Sequence, residues 1–384
     1  MTRNGSVIQL NSARSVVSWI ASKKQEDEPV FSSGLRDAAT FARLQLRVGY
    51  GRSRVPEGGI GGFVKRVPPD RSGSTPRGVL EKRFFFEMRD REMTEQNEIR
   101  ESVSKAYAKA VCAPSTDASP CCAPVQKGVV VKLAGYTQEE LTALPADAVV
   151  NSFGCGNPLA FSEVREGQTV LDLGSGAGID ILLAAKKVGP TGRAIGVDMT
   201  DEMIARAKEN VATSGLTNVD VRKGTIEALP VDSESVDWVI SNCVINLSPE
   251  KSKVFAEIAR VLKPGGCMLV SDIVVKELSD VIRKNQALYN SCVAGAVTEE
   301  EYLAGLEVAG LVDAEVRERI VYDASQIEAF IESELPDNEQ AVTACCGGGS
   351  CLPPAKEIAE SLVGKVWSAK VFARKAEGRS DEAT

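Results

Sequence analysis

The chain has 384 residues, 43% hydrophobic and 26% charged, the proportions of an ordinary soluble protein. Ten cysteines and a complete lack of histidine exclude histidine general bases, histidine zinc sites and serine–histidine triads. Residues 1–92 carry a net charge of +7 and the remainder −15. An acidic body repels nucleic-acid backbones, so no nucleic-acid partner is expected, and no apolar run reaches the roughly 18 to 20 residues of a membrane helix.

Residues 1–92 read as a disordered leader, rich in Arg, Ser, Gly and Pro, with linker-like stretches at 51–62 and 68–78. Abundant Arg and Ser suit a targeting segment, whereas Glu26, Asp27 and Glu28 favour an upstream extension ahead of a start at Met93. Residues 93–135 form a second unit, helix-like through Ala110 and then rich in Cys, Pro, Ser and Ala, with Cys112 and the vicinal pair Cys121-Cys122. All ten cysteines lie between Cys112 and Cys351 in a long chain without a clear signal peptide, which points to reduced thiols and a cytoplasmic setting.

From Tyr136 the pattern becomes regular. Strands are expected at 169–173, 193–198, 219–222, 236–241 and 268–274, and helices at 179–188 and 201–214. Ser248 reads as the N-cap of a further helix, with Pro249 at its first position, which ends at Pro264-Gly265-Gly266. Strands alternating with helices imply an α/β, doubly wound, mostly parallel sheet over 136–275. A helix at 299–309, a strand at 313–322 and a last edge strand at 366–374 would form a smaller C-terminal α+β part, 276–376. A thiol-rich loop, Cys345-Cys346-Gly347-Gly348-Gly349-Ser350-Cys351, lies among these elements.

Two motifs carry chemistry. Val170-Leu171-Asp172-Leu173-Gly174-Ser175-Gly176-Ala177-Gly178 is a strand entering a glycine-rich turn and then a helix, a shape that lets backbone approach a ligand closely. Asp198 ends the next strand, where a carboxylate can hold two ribose hydroxyls. With Gly196-Val197-Asp198-Met199, Ile226-Glu227-Ala228-Leu229-Pro230 and Leu262-Lys263-Pro264-Gly265-Gly266, this stretch resembles the Rossmann-like class I methyltransferases. The resemblance implies S-adenosyl-L-methionine as cofactor. It assigns cofactor contacts to Asp172, Gly174, Ser175, Gly176, Gly178, Asp198, Met199, Ile226, Glu227 and Asn242.

The second motif is a set of cysteines. Cys155 lies in Gly154-Cys155-Gly156, Cys243 in Asn242-Cys243-Val244-Ile245-Asn246-Leu247, and Cys292 in Cys292-Val293-Ala294-Gly295-Ala296. Cys267, inside a strand, reads as a small hydrophobe. The three settings together resemble the arsenite methyltransferase family. That resemblance implies that Cys155, Cys243 and Cys292 bind As(III) as arsenite or methylarsenite. It also implies a disulfide between Cys155 and an N-terminal cysteine (Cys112, Cys121 or Cys122), reset by glutathione or thioredoxin. Soft thiolates select a soft centre, and an arsenic lone pair needs no general base, in keeping with the missing histidine. Rival readings are methylation of a quinone or sterol precursor, which would not require Cys243 or Cys292, and a non-catalytic thiol carrier or sensor of metalloids.

Overall fold

A computed structural model describes residues 76–112, 135–154, 156–283, 289, 292–328 and 355–378. They belong to one unit spanning Ser74–Thr384. Cys121, Cys122, Cys155 and the thiol-rich loop at 345–351 lie outside the described residues.

Helix α1 runs Pro76–Cys112. It begins inside the stretch expected to be linker and crosses Met93 without a break. Proline at a helix start forfeits no hydrogen bond, and the Val79–Arg83 residues that follow are mostly good helix formers. Two short helices follow, α2 (Gln138–Thr142) and α3 (Ala146–Val150). The Thr137 side chain caps α2 and Glu140 returns the bond in a capping box.

The core then alternates. Strands β1 (Thr169–Leu173), β2 (Arg193–Asp198), β3 (Val219–Lys223), β4 (Val236–Asn242) and β5 (Leu262–Val275) are joined through helices α4 (Ile179–Val188), α5 (Asp201–Ser214) and α6 (Lys251–Val261). After them come α7 (Asp280–Arg283), α8 (Glu299–Val308), β6 (Leu311–Val321), α9 (Ala355–Leu362) and β7 (Val366–Lys375). The seven strands form one sheet in the order β3-β2-β1-β4-β5-β7-β6. The first five are mutually parallel, and β7 runs antiparallel to both β5 and β6. Val170, Leu171, Leu173, Val239 and Ile240 are buried, the near-continuous apolar run of strands covered on both faces.

Three expectations are corrected. Strand β7 is interior and β6 is the edge. Polar Ser368 and Lys370 give β7 the look of a half-exposed strand, but both are buried, and Lys370 is ion-paired to Glu318 at 2.5 Å. The C-terminal elements therefore complete the same sheet. Ser248 is not the cap of α6, which starts at Lys251 with Glu250 as N-cap. Its hydroxyl instead accepts from the Glu250 N–H and donates to Glu227. Finally, α6 ends at Val261, and β5 begins at Leu262, paired with Val236, and runs through Pro264-Gly265-Gly266. The N–H groups of Glu234 and Ser235 take the carbonyls of Arg260 and Val261, which stops the helix there.

Candidate active site

Because β1, β2 and β4 are parallel and in register, Leu173, Asp198 and Asn242 finish at one edge of the sheet. A cleft of about 950 Å³, counting its open mouth, lies over that edge, the usual ligand position in a doubly wound sheet. Of the residues expected to contact a cofactor, Asp172, Gly174, Ser175 and Gly176 line it from β1 and its turn. Asp198, Met199, Ile226, Glu227 and Asn242 line it from the neighbouring elements. Gly178 does not; it is the N-cap of α4, at a left-handed φ of 102°.

Asp198 Oδ2 accepts from the Gly176 N–H at 3.0 Å, and Oδ1 from the Thr200 N–H at 2.8 Å. The carboxylate thus fixes the glycine turn as well as facing the cleft. Glu227, which also lines the cleft, is held by two side chains. Its Oε1 accepts from Arg100 Nε at 3.1 Å and from the Ser248 hydroxyl at 2.6 Å. Arg100 also pairs with Glu250. These bonds tie α1 to the cleft, which Arg100, Val103 and Tyr107 help to line. Tyr107 meets Phe153 edge to face, ring centroids 5.7 Å apart.

Asp180, at the start of α4, was not visible as a site residue in the sequence. It accepts from the Tyr136 hydroxyl at 2.7 Å and from the Asn242 amide at 3.1 Å. Burial pushes its carboxyl up to about 6, against the two hydrogen bonds. Burial, and then the charges of Asp180 and Asp198, hold Asp172 well above the carboxylate range. Burial also raises Asp198, opposed by the Thr200 and Gly176 N–H groups. Three carboxyls crowded into one buried cleft favour a cationic ligand, which would relieve their repulsion. The Ser175 hydroxyl is buried there with no partner among the described residues.

Cys243 follows the last residue of β4 and lines the cleft. It stands in a disulfide, while Cys112, Cys267 and Cys292 are not disulfide-bonded. Cys292 is buried, and its Sγ lies 2.7 Å from the Cys243 carbonyl oxygen. Both cysteines hold left-handed backbone, φ 57° and 61°, among four such non-glycine residues described. That conformation costs about 1–2 kcal/mol per residue and gathers where a site over-determines it. Cys112 is exposed at the end of α1, and Cys267 is partly buried, with its Sγ 3.6 Å from the Gly265 carbonyl.

Residues 165–310 match the methyltransferase domain family. The core is a class I methyltransferase fold. The chain is 46% identical over 197 residues to an arsenite methyltransferase of Halobacterium salinarum (strain ATCC 700922 / JCM 11081 / NRC-1), covering 51% of this chain and 50% of that one. It is 36% identical over 218 residues to an arsenite methyltransferase of Aquipseudomonas alcaligenes, covering 54% and 60%. The match thus spans about half the length of these curated relatives. A crystal structure of an arsenic(III) S-adenosylmethionine methyltransferase from Chlamydomonas reinhardtii aligns with a TM-score of 0.46 and 30% identity, covering 65% of this chain and 73% of that one. No described helix is long and apolar enough to cross a membrane.

The cleft fits the cofactor of this fold. S-adenosylmethionine carries a sulfonium and an ammonium, the cations that the Asp172, Asp180 and Asp198 cluster would accommodate, and a ribose that Asp198 can hold. The Ser175 hydroxyl, left without a partner, is consistent with a polar ligand in the glycine turn.

Proposed function

We propose that the protein methylates As(III), held by the thiolates of Cys155, Cys243 and Cys292, with S-adenosylmethionine as donor. The observation that carries this reading is the meeting of Cys292 Sγ and the Cys243 backbone, 2.7 Å apart, beside the cofactor cleft. A quinone or sterol methyltransferase has no use for two cysteines converging on left-handed backbone at that edge.

The cofactor supplies an electrophilic methyl on a sulfonium. Asp172, Asp180 and Asp198 provide the negative field that holds it, and Asp198 with Gly176 keeps the turn shaped around it. The thiolates strip arsenic of its oxygens and aim its lone pair at the methyl, so the site supplies orientation and no base. As the As–C bond forms, the C–S bonding pair leaves with the donor sulfur, and arsenic goes formally from +3 to +5. A thiol reductant, glutathione or thioredoxin, then returns two electrons. The same reductant has an earlier task. Cys243 sits in a disulfide, and ligation there requires two electrons and two protons to free both sulfurs. A reducing cytoplasmic setting suits both steps.

The test is incubation of reduced protein with arsenite, S-adenosylmethionine and excess thiol, followed by separation of arsenic species. Methylated arsenic should form in step with S-adenosylhomocysteine. Arsenic binding without cofactor consumption would instead identify a carrier or sensor.

Two cofactor predictions follow from the cleft. Asp198→Ala removes a charged acceptor worth roughly 1.5 to 3 kcal/mol and frees the glycine turn. Affinity for S-adenosylmethionine by calorimetric titration should fall at least about tenfold, and an unchanged affinity would take Asp198 out of the site. The second concerns pH. A carboxyl raised to about 6 favours the ligand-free fold below the unfolded carboxylate range near 4, and that stability is lost as pH rises through about 6. A cationic ligand prefers the ionised form, so the affinity should rise over the same window, with proton release on binding. Asp180→Asn should flatten the rise. A flat profile in the parent would exclude Asp180 from holding the cation.

A further inference from the structure

Helix α1 turns one stripe of side chains toward the cleft. Arg100, Val103 and Tyr107 line it, and Ser104, on the same side of the helix, meets the Thr200 hydroxyl at 3.3 Å. At 1.5 Å of rise per residue the stripe spans about 10 Å, so its two ends serve different parts of the cleft. At one end the Arg100 charge is taken up by Glu227 and Glu250. At the other end Tyr107 meets Phe153 edge to face. Phe153 is seated beside the end of β4, because the next residue, Gly154, lies so close to the Asn242 amide that a Cβ there would overlap it. Tyr107 and Met199 both pack against the buried cluster that holds Val103, Cys243 and Leu247. Met199 directly follows Asp198, the carboxylate placed to hold a ribose. In S-adenosylmethionine a single methylene separates the ribose ring from the sulfonium, so a ribose held at Asp198 brings that charge toward this side of the cleft.

We propose that Tyr107 is a specificity-determining residue for the charge of the cofactor: its ring gives the sulfonium a π face, and Phe153 holds that ring in place. An edge-to-face pair sets one ring's edge on the other's face and leaves ring faces over for a cation. The carboxyls of Asp172, Asp180 and Asp198 attract any cation, and the cofactor's ammonium is present before and after methyl transfer. A π face beside the sulfur acts on the sulfonium alone. When the methyl leaves, the C–S bonding pair stays on sulfur, the thioether is neutral, and the attraction is gone. The same ring therefore favours exchange of spent cofactor for fresh donor. The inference rests on the cofactor reading of the cleft and is independent of the arsenic reading.

The test is calorimetric titration of the full-length protein with S-adenosylmethionine and with S-adenosylhomocysteine, read as the ratio of the second dissociation constant to the first. Tyr107→Leu should lower that ratio about 3- to 30-fold, the range of a cation–π contact from exposed to desolvated, chiefly by weakening S-adenosylmethionine. Tyr107→Phe, which keeps the π face, should keep the parent ratio. Sinefungin, which carries an amine-bearing carbon in place of the sulfonium, should lose affinity in Tyr107→Leu as S-adenosylmethionine does. Fluorinated phenylalanines at position 107 drain the π face while preserving the shape of the ring. They should lower the ratio stepwise with each added fluorine, and they serve where Tyr107→Leu does not fold. A role in packing alone weakens both ligands by the same factor, so an unchanged ratio in Tyr107→Leu or across the fluorinated series would overturn the proposal. A parent protein that binds neither ligand would instead sink the cofactor reading on which the proposal rests.

Discussion

Cys243→Ser should lose methylation of both arsenite and methylarsenite, by more than the roughly 10–100-fold that loss of an outer-shell partner costs. A hydroxyl is a hard, weakly acidic group and cannot replace a thiolate on a soft centre. Cys292→Ser should behave the same way, since its sulfur lies against the Cys243 backbone and both would serve in every round. Cys155→Ser should lose arsenite methylation yet keep activity on methylarsenite, whose one methyl group leaves two valences for thiolates. Replacing Cys267 should change neither. It pairs with Trp238 while Asn242 pairs with Ser271, which puts it about 13 Å down the strand from the cleft edge at roughly 3.3 Å per residue. The assay is methylation of each substrate by the four variants in excess thiol. If Cys243→Ser methylates methylarsenite at the parent rate, the three-thiolate site is wrong and the quinone or sterol reading replaces it.

Removing helix α1 should have the next largest effect. A chain beginning at Met93 should fold and work like the parent, because residues 89–95 of α1 are exposed. A chain beginning at Tyr136 loses Arg100, Val103 and Tyr107 from the cleft. Glu227 would then lose its hydrogen bond from Arg100. Charged hydrogen bonds of this kind contribute about 1.5–3 kcal/mol each, so S-adenosylmethionine binding should weaken at least tenfold and the melting temperature should drop. The same cut removes Cys112, Cys121 and Cys122. Arg100→Ala in the full chain keeps those cysteines, and a matching loss of cofactor affinity would assign the effect to the clamp. Parent-like affinity for the chain starting at Tyr136 would show that α1 is dispensable to the cleft.

Much of this protein is legible in the residue order because local rules govern it. The strand–glycine turn–helix of 170–188, the acidic end of β2 and the alternation through β5 follow from periodicity and turn chemistry, which act over a few residues. The glycine turn with Gly176 and the carboxylate of Asp198 could be placed in the cleft on that basis, and the methyltransferase resemblance added Asp172 and Ser175. The absence of histidine likewise limited the chemistry before any fold was known. Other features depend on partners far apart in the chain. That β7 enters between β5 and β6 rests on long-range pairing with both strands, and the ion pair to Glu318 hides charged Lys370 within it. That Glu227 serves α1 depends on Arg100, 127 positions away. Asp180 became a site residue through Tyr136 and Asn242, and no local pattern marks such a meeting. The sequence determined which groups could do the chemistry, since residue type and short-range geometry are written into it. Only the tertiary structure decided which of them meet, because burial and long-range hydrogen bonding are properties of the packed chain.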